Sequence, residues 1–190
     1  MLEKTTFALR GHILHTPTPR AIVCMPESYL VCEEGKTAGV FTELPERFKG
    51  IPVEDCGDRL VIPGLVDLHL HAPQYSFRAL GMDLELLDWL NTHTFPEEAK
   101  YADPAYAGRA YRIFADDLAA SPTTRAAVFG TIHRPATELL MDLIEETGVR
   151  ALVGKVNMDR NSPDILREES AAASLEDTAR WISETKGKYR

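Results

Sequence analysis

The chain has 190 residues, of which 44% are hydrophobic and 26% are charged, and its formal net charge at pH 7 is −8. This composition is that of a globular protein, long enough for one sizeable core or for one core with a small satellite domain. The acidic balance, without any segment dense in lysine and arginine, argues against a nucleic-acid partner and against an anionic membrane surface. No apolar run approaches the roughly 18 residues of a membrane span, and the N-terminus has no signal-peptide pattern.

The three cysteines are Cys24, Cys32 and Cys56, an odd number without Cys-x-x-Cys spacing. This usage is typical of reduced thiols in a cytosolic protein and not of a disulfide or zinc framework. We therefore expect a cytoplasmic location.

Short strands separated by prolines are predicted for residues 1–60. The alternation of apolar and polar side chains over residues 6–14 indicates a first strand. Two further apolar runs flank Glu33-Glu34-Gly35-Lys36, which predicts a hairpin turn. The sequence Asp-Cys-Gly-Asp at 55–58 is expected to mark the end of this small β domain.

After residue 60 the pattern changes to strands that alternate with helices. Buried strands are predicted over 61–70, 126–132 and 151–158. Helices are predicted over 84–90, over 103–120 with Asp103 as N-cap and Pro104 in the first turn, over 135–148 with Gly148 at the end, and over 174–186 from a capping box at Ser174.

Alternating strands and helices indicate an α/β fold with a parallel sheet, either doubly wound or a (β/α)₈ barrel. A barrel needs about 250 residues, whereas only three strands are predicted after residue 60. The predicted fold is therefore a partial (β/α)₈ TIM-type barrel, its first three strands lying in 61–190, preceded by a small β-sandwich segment over 1–60. The alternative is a complete three-stranded α/β domain, which is less favoured because its sheet edges would be unprotected.

The segment most indicative of function is Val61–Gln74, in which an apolar strand ends in two histidines, His69 and His71. Alternate side chains of a strand share a face, so both histidines are expected to point the same way. Their Cα atoms would lie roughly 6.5 Å apart, close enough for both imidazoles to bind one metal ion. The simpler alternative is two histidines on the polar face of a half-buried strand.

The motif Pro63–His71 resembles the first barrel strand of the amidohydrolase superfamily, whose two histidines bind a divalent metal. Within that superfamily, the guanine deaminases are similar to this chain over 71–78, 89–98 and 154–159, and their N-terminal strand is similar to 11–17. The His-x-His pattern alone is common to the superfamily. The extension Ala-Pro-Gln-Tyr-Ser and the segment Thr-Phe-Pro-Glu are far more specific.

The resemblance implies hydrolytic deamination of guanine to xanthine and ammonia on one Zn²⁺ per subunit, a step of purine catabolism. It makes His69 and His71 the first two zinc ligands, and His71 and Gln74 contacts to the substrate. The amide of Gln74 suits a purine edge because it offers both a donor and an acceptor. The resemblance also implies a homodimer for the complete enzyme.

The family takes its remaining site residues from later strands: two histidines, a ligating aspartate, the proton-shuttling glutamate and an arginine–phenylalanine pair. No catalytic residue is therefore expected within residues 1–190, and this chain by itself is expected to be inactive. Two alternatives stay open. One is a sister amidohydrolase that acts on another amino-heterocycle, such as an oxidised guanine. The other is a non-catalytic fragment that binds a partner.

Five further residues have both a functional and a structural interpretation. His133 follows a predicted strand and would either support the site or be a loop histidine. Lys155 would be a metal-bridging group or, more commonly, an ion-pair partner. Asp67 would support a histidine ligand or belong to a polar layer of the barrel. Tyr75 and Phe77 would wall the purine pocket or belong to the core.

Overall fold

The structure, a computed structural model, describes residues 6–189. The chain forms two compact units, Met1–Pro63 and Gly64–Arg190. The division thus falls between Pro63 and Gly64, against an expected boundary between residues 60 and 61.

The first unit is a four-stranded sheet of order β3-β2-β1-β4. Its strands are β1 (Phe7–Thr18), β2 (Ala21–Glu33), β3 (Lys36–Phe41) and β4 (Val53–Val61). β1 pairs antiparallel with β2 and parallel with β4, and β2 pairs antiparallel with β3.

The predicted hairpin is confirmed. β2 and β3 are joined by Glu34 and Gly35, whose φ angles are 49° and 76°. Two positive φ values in succession give a turn whose twist matches that of the flanking strands.

The prediction that residues 55–58 end the β domain is wrong, because they lie inside β4. The pairing of β1 with β4 is irregular there, with a register shift between Arg10 and His12. Gly57 has a φ of 59°, and its N–H donates to Asp55 Oδ1 at 2.8 Å. The turn-like composition therefore marks a bulge in a strand and not the end of the unit.

The second unit contains a parallel sheet of order β5-β6-β7, which confirms the α/β class. Its strands are β5 (Leu65–His71), β6 (Thr123–Phe129) and β7 (Arg150–Gly154). Its helices are α1 (Leu86–Trp89), α2 (Phe95–Ala99), α3 (Pro104–Ala120), α4 (Arg134–Thr147) and α5 (Ala171–Thr185). Ala72–Phe77 forms 3₁₀ turns, and Leu90–Thr94 forms a short π-helix.

The core of this unit lies between β6 and the apolar faces of α3 and α4. α3 and α4 have apolar side chains at helical spacing, so each has one face that packs inward. The buried set comprises Ala126 and Val128 of β6, Tyr111, Phe114 and Leu118 of α3, and Leu140, Leu143 and Ile144 of α4.

Gly64, the residue just before β5, lies where a Cβ has no room. A Cβ at Gly64 would collide with the side chain of Thr124 on the neighbouring strand. The N–H of Leu65 donates to Pro122 O at 2.9 Å, which starts the pairing of β5 with β6. Glycine at this position therefore permits the close approach of the chain to Thr124.

Helices α3 and α4 start and stop as the sequence predicts, within one residue. Asp103 Oδ1 accepts the N–H of Ala105 at 2.9 Å, and Gly148, at φ 80°, ends α4 in the left-handed region. Helix α5 differs, since its N-cap is Ser170, which accepts the N–H of Ala173 at 3.1 Å, and Ser174 lies inside the helix. The predicted capping box at Ser174 is therefore wrong.

Strands β6 and β7 end three and four residues before their predicted ends. Thr131, His133 and Lys155 therefore lie in the segments that leave the sheet.

Replacing Asp103 with alanine is expected to lower the free energy of unfolding by about 1 kcal/mol, because the N–H of Ala105 loses its acceptor. Urea denaturation measures the loss. The matched control is Asp116→Ala, an exposed position within α3, for which a change below about 0.5 kcal/mol is expected. Equal losses in both variants would show that the cap does not stabilise the helix.

Candidate active site

The two histidines lie side by side at the carboxyl end of β5. Their ring centroids are 5.0 Å apart. Phe129, at the end of β6 and in register with His71, stacks on the His71 ring at 4.6 Å and contacts His69 edge-on at 5.3 Å. Both imidazoles thus share one side of the strand, as their spacing predicts, and Phe129 supports them.

The strand that carries them is less buried than the sequence predicts. Within the described residues β5 is an edge strand, and Leu65, Val66 and Leu68 are 50%, 53% and 76% exposed. Only β6 pairs with it there, so its other edge has no strand partner among residues 6–189. The expectation of a buried strand is therefore not met within these residues.

The surroundings of His71 favour its neutral form. Burial lowers the pKa of the imidazole, and the neighbouring His69 lowers it further because two positive charges would repel. A lowered pKa keeps His71 uncharged at neutral pH. Neutral imidazole is the form that binds metal ions.

Asp67 stabilises the backbone of the histidine segment. Its Oδ1 accepts the backbone N–H of His69 at 3.0 Å, where the pairing of β5 with β6 shifts register between Asp67 and Leu70. The carboxylate therefore satisfies an amide next to an irregularity in the ladder. It is not bonded to the imidazole ring of either histidine.

Two nitrogen donors fit a divalent metal such as zinc but do not complete its coordination. Within residues 6–189 no cluster of three or more His, Cys, Asp or Glu could hold a metal ion. Zinc sites usually have three or four protein ligands. His69 and His71 could therefore form only part of such a site.

Gln74 lies three residues after His71, in the 3₁₀ segment Ala72–Phe77. Together with the two histidines it lines an open concavity of ≈ 540 Å³. The rest of the lining consists of Leu70, Tyr75, Phe77, Arg78, Leu86, Trp89 and Leu90. The four nitrogen-bearing polar side chains of this lining, those of His69, His71, Gln74 and Arg78, lie beside an aromatic wall and are suited to a flat heterocyclic ligand.

Tyr75 and Phe77 line the concavity and also belong to the packed interior, while their contact with a purine stays a prediction. Each lines the concavity, and each also packs inward, Tyr75 against Phe114 with ring centroids 5.5 Å apart and Phe77 against Trp89 at 5.6 Å. The hydroxyl of Tyr75 donates to Asp117 on α3 at 2.6 Å. The wall of the concavity is thereby tied to the core.

Glu97 anchors the 3₁₀ segment from helix α2. Its carboxylate accepts bonds from Ser76 Oγ and Lys100 Nζ, both at 2.6 Å, and from the hydroxyl of Tyr106. Burial raises the pKa of Glu97, but these bonds outweigh burial and hold it below its ordinary value. Glu97 is therefore ionised and has several partners.

Glu98, the next residue, lies in a different environment. It is 3% exposed. Burial raises the pKa of its carboxyl to about 7, although the nearby side chain of Gln74 opposes that shift. Among the described residues its Oε2 atom has no hydrogen-bond partner.

Lys155 is an ion-pair partner, the more common of the two interpretations. Its side chain is fully buried, and Nζ lies 2.8 Å from Glu168 Oε1 and 3.8 Å from Asp177 Oδ2. It also donates to the carbonyl of Val156 at 3.2 Å. Lys155 thus fixes the segment that follows β7.

His133 lies between β6 and α4 and is not part of the lining of the concavity. Burial lowers the pKa of its imidazole, and the charge of Lys155 lowers it further. Its backbone N–H donates to Thr131 Oγ1 at 3.0 Å, while Nε2 is buried without a partner among residues 6–189. Its support of the metal site stays a prediction.

Three residues of the site have no role assigned from the sequence: Phe129, Glu97 and Glu98. Phe129 stands at the end of a predicted strand, and the alignment of parallel strand ends is the signal that could have placed it beside His71. The two glutamates gave no such signal, because charged residues in a short helix are usually exposed.

Residues 60–188 match the model of the Amidohydrolase family, and the chain belongs to that family. The chain is 41% identical over 176 residues to guanine deaminase of Homo sapiens, covering 93% of this chain and 37% of that protein. It is 41% identical over 130 residues to guanine deaminase of Dictyostelium discoideum, covering 68% and 29%. The chain spans about a third of the length of the curated relatives it matches.

Solved structures are similar over nearly the whole chain. Guanine deaminase from C. acetobutylicum, crystallised with bound guanine in the active site, has a TM-score of 0.91 at 42% identity, covering 97% of this chain and 44% of that chain. Guanine deaminase of E. coli has a TM-score of 0.79 at 31% identity, covering 95% and 43%. A triazine hydrolase at 14% identity, with a TM-score of 0.75, shares the fold.

None of the helices within residues 6–189 is both long and apolar enough to span a membrane.

Proposed function

We propose that this chain forms the first part of a zinc-dependent guanine deaminase, which hydrolyses guanine to xanthine and ammonia. The observation that carries the proposal is the placement of His69, His71 and Gln74 around one concavity at the carboxyl end of β5. The similarity to a guanine deaminase whose structure holds guanine supports the choice of substrate. The complete enzyme would consist of this chain together with the residues that complete its barrel.

In this proposal β5, β6 and β7 are the first three strands of a (β/α)₈ barrel within 61–190. Their parallel order and the helices packed on one face support it. The four-stranded sheet of the first unit would be part of a β-sandwich formed by residues 1–60. Active sites of such barrels lie at the carboxyl ends of the strands, where the two histidines are.

His69 and His71 would hold the metal ion through neutral imidazole nitrogens. When bound, zinc supplies Lewis-acid activation of a water molecule at neutral pH. Phe129 packs against both rings, and the carboxylate of Asp67 holds the backbone N–H of His69. The remaining ligands and the acid that transfers the proton to the leaving amine would come from outside residues 1–190.

Gln74 would recognise the purine edge. Its carboxamide offers two donors and an acceptor, which matches the alternating donors and acceptors of guanine. Phe77 and Trp89, which pack on each other, would form an apolar wall that excludes water from the bound ring.

The proposal also includes a cytoplasmic enzyme of purine catabolism that assembles as a homodimer and binds one zinc per subunit. The free cysteines Cys24, Cys32 and Cys56 agree with a reducing compartment. Light scattering of the purified complete enzyme measures the assembly, and elemental analysis measures the metal.

Ammonia release by the complete enzyme tests the reaction. Guanine is expected to be deaminated at least about 100-fold faster than adenine or cytosine, because the polar groups of the site would be left unpaired by the wrong base. Removal of zinc by a chelator should abolish turnover, and added zinc should restore it. Equal rates with an oxidised guanine or another amino-heterocycle would favour a sister amidohydrolase instead.

Replacing Gln74 with alanine is expected to lower kcat/KM for guanine roughly 5- to 150-fold, which corresponds to about 1–3 kcal/mol for a buried partner left unpaired. Steady-state kinetics measure the change. The control is Asn91→Ala, which removes an exposed amide bonded to the carbonyl of Leu87 and should leave kcat/KM nearly unchanged. Unaltered guanine kinetics in the Gln74 variant would show that this residue does not contact the substrate.

A further inference from the structure

The 3₁₀ segment Ala72–Phe77, which carries Gln74, needs support from outside itself. Runs of 3₁₀ structure longer than roughly four residues are uncommon, because their hydrogen bonds have poorer geometry than those of an α-helix. This segment spans six residues, and its Gln74 lines an open concavity. The direction of the carboxamide therefore depends on contacts between the segment and the rest of the unit.

Ser76, two residues after Gln74, supplies one of these contacts. Its Oγ donates to Glu97 Oε1 on helix α2 at 2.6 Å. A hydroxyl that donates to an ionised carboxylate makes a shorter and stronger hydrogen bond than one between neutral groups. On the other side of Gln74, the hydroxyl of Tyr101 donates to the carbonyl of Pro73 at 3.3 Å. The backbone that carries Gln74 is thus held from both sides.

Glu97 can serve as an anchor because its own carboxylate is fixed. The residue is 7% exposed. Oε1 also accepts the hydroxyl of Tyr106 on α3, and Oε2 accepts Nζ of Lys100 at 2.6 Å. Lys100 Nζ in turn lies 5.6 Å from the centre of the Tyr106 ring. A buried carboxylate with partners on both oxygens keeps one position, because movement would leave a buried charge without its hydrogen bonds.

Of the described residues in this network, Gln74 lines the concavity, whereas Ser76 and Glu97 do not. Any effect of these two residues on a ligand must therefore pass through the segment that they hold. We propose that Ser76 and Glu97 are positioning residues, which keep Gln74 in the place where its carboxamide meets the purine. This role rests on the proposed function, because it presumes that the ligand is guanine.

The test is a set of Ser76 variants of the complete enzyme assayed with guanine. Ser76 is exposed, so its replacement by alanine removes the hydroxyl without opening a cavity in the core. We expect Ser76→Ala to raise KM roughly 10-fold and to leave kcat within about twofold of wild type, as for a loss of binding that substrate and transition state share. Ser76→Thr keeps the hydroxyl donor and should keep KM within about twofold of wild type.

Two further variants test the anchor and the specificity of the effect. Glu97→Ala removes the acceptor of Ser76 and should raise KM by a similar factor, roughly 10-fold. The control is Ser174→Ala, which removes another hydroxyl that donates to a carboxylate, that of Glu168 at 2.8 Å, away from the lining of the concavity. This control should lower the unfolding temperature but leave KM for guanine unchanged.

A double variant separates positioning from a general structural effect. If Ser76 acts through Gln74, then Ser76→Ala should change KM by no more than about twofold once Gln74 is already alanine. A general structural role predicts the same rise in both backgrounds. Thermal unfolding of every variant, measured in parallel, shows whether each one folds, and the Ser76 variants decide the question if Glu97→Ala does not.

The outcomes distinguish this proposal from the proposed function. Wild-type enzyme that releases no ammonia from guanine overturns both. With an active wild type, an unaffected KM in Ser76→Ala, equal rises in Ser76→Ala and Ser76→Thr, or the same rise beside Gln74→Ala overturns only the positioning role. A rise in Ser76→Ala, retention in Ser76→Thr and no further rise beside Gln74→Ala establish it.

Discussion

Replacing either His69 or His71 with alanine is expected to remove zinc from the complete enzyme and to lower kcat for guanine about 1000-fold or more. Each imidazole supplies one of the few nitrogen donors of the proposed site. The metal contributes several kcal/mol to the stabilisation of the transition state, and each 1.4 kcal/mol corresponds to a tenfold change in rate. Elemental analysis after dialysis and steady-state ammonia release measure the two effects.

The control for this prediction is His12→Ala. His12 is also a half-buried histidine, but it lies on β1 of the first unit and has no predicted role in the site. We expect this variant to keep its zinc. Full zinc occupancy in both of the single variants at His69 and His71 would contradict the metal site. Loss of zinc from these two variants and from the control variant alike would indicate a general folding defect.

Residues 1–190, expressed by themselves, are expected to show no deamination of guanine and to lose zinc on dialysis against a modest chelator. His69 and His71 give two donors, and no cluster of three or more metal-binding side chains occurs within residues 6–189. Two imidazoles without further ligands bind zinc weakly compared with the three or four ligands of established sites. Ammonia release and zinc content measure both expectations.

The same polypeptide is also expected to self-associate. β5 and β7 are the outer strands of the described sheet, and Leu68 and Leu152 are 76% and 80% exposed. Open strand edges and apolar faces favour association between chains. Size-exclusion chromatography beside the complete enzyme tests this, and a monomeric, cooperatively folding product that turns over guanine would falsify the expectation.

Local elements of the fold could be predicted from the sequence because short-range interactions determine them. Asp103 and Pro104 start α3, and Gly148 ends α4, because caps and chain breakers act within a few residues. The hairpin at Glu34 and Gly35 depends on the same local preferences. Ser174 shows the limit, since a second serine four residues earlier forms the actual cap of α5.

The placement of His69 and His71 on the same face of β5 was also predictable, because alternation along a strand is a local property. The degree of burial of the strand was not predictable. The exposure of β5 depends on which strands lie beside it, and the register shift between Asp67 and Leu70 arises only when β6 is in place. The bond of Asp67 to the backbone of His69 therefore could not be derived from the sequence.

The sequence by itself thus determined the α/β class, the ends of α3 and α4, and the two histidines at the end of a strand. Only the tertiary structure decided which groups surround them. Phe129 reaches His71 through the ladder between β5 and β6, and Glu97 reaches Ser76 across 21 positions of the chain. Contacts between distant segments depend on how the strands and helices pack, and no local preference of a residue encodes its partner in a packed core.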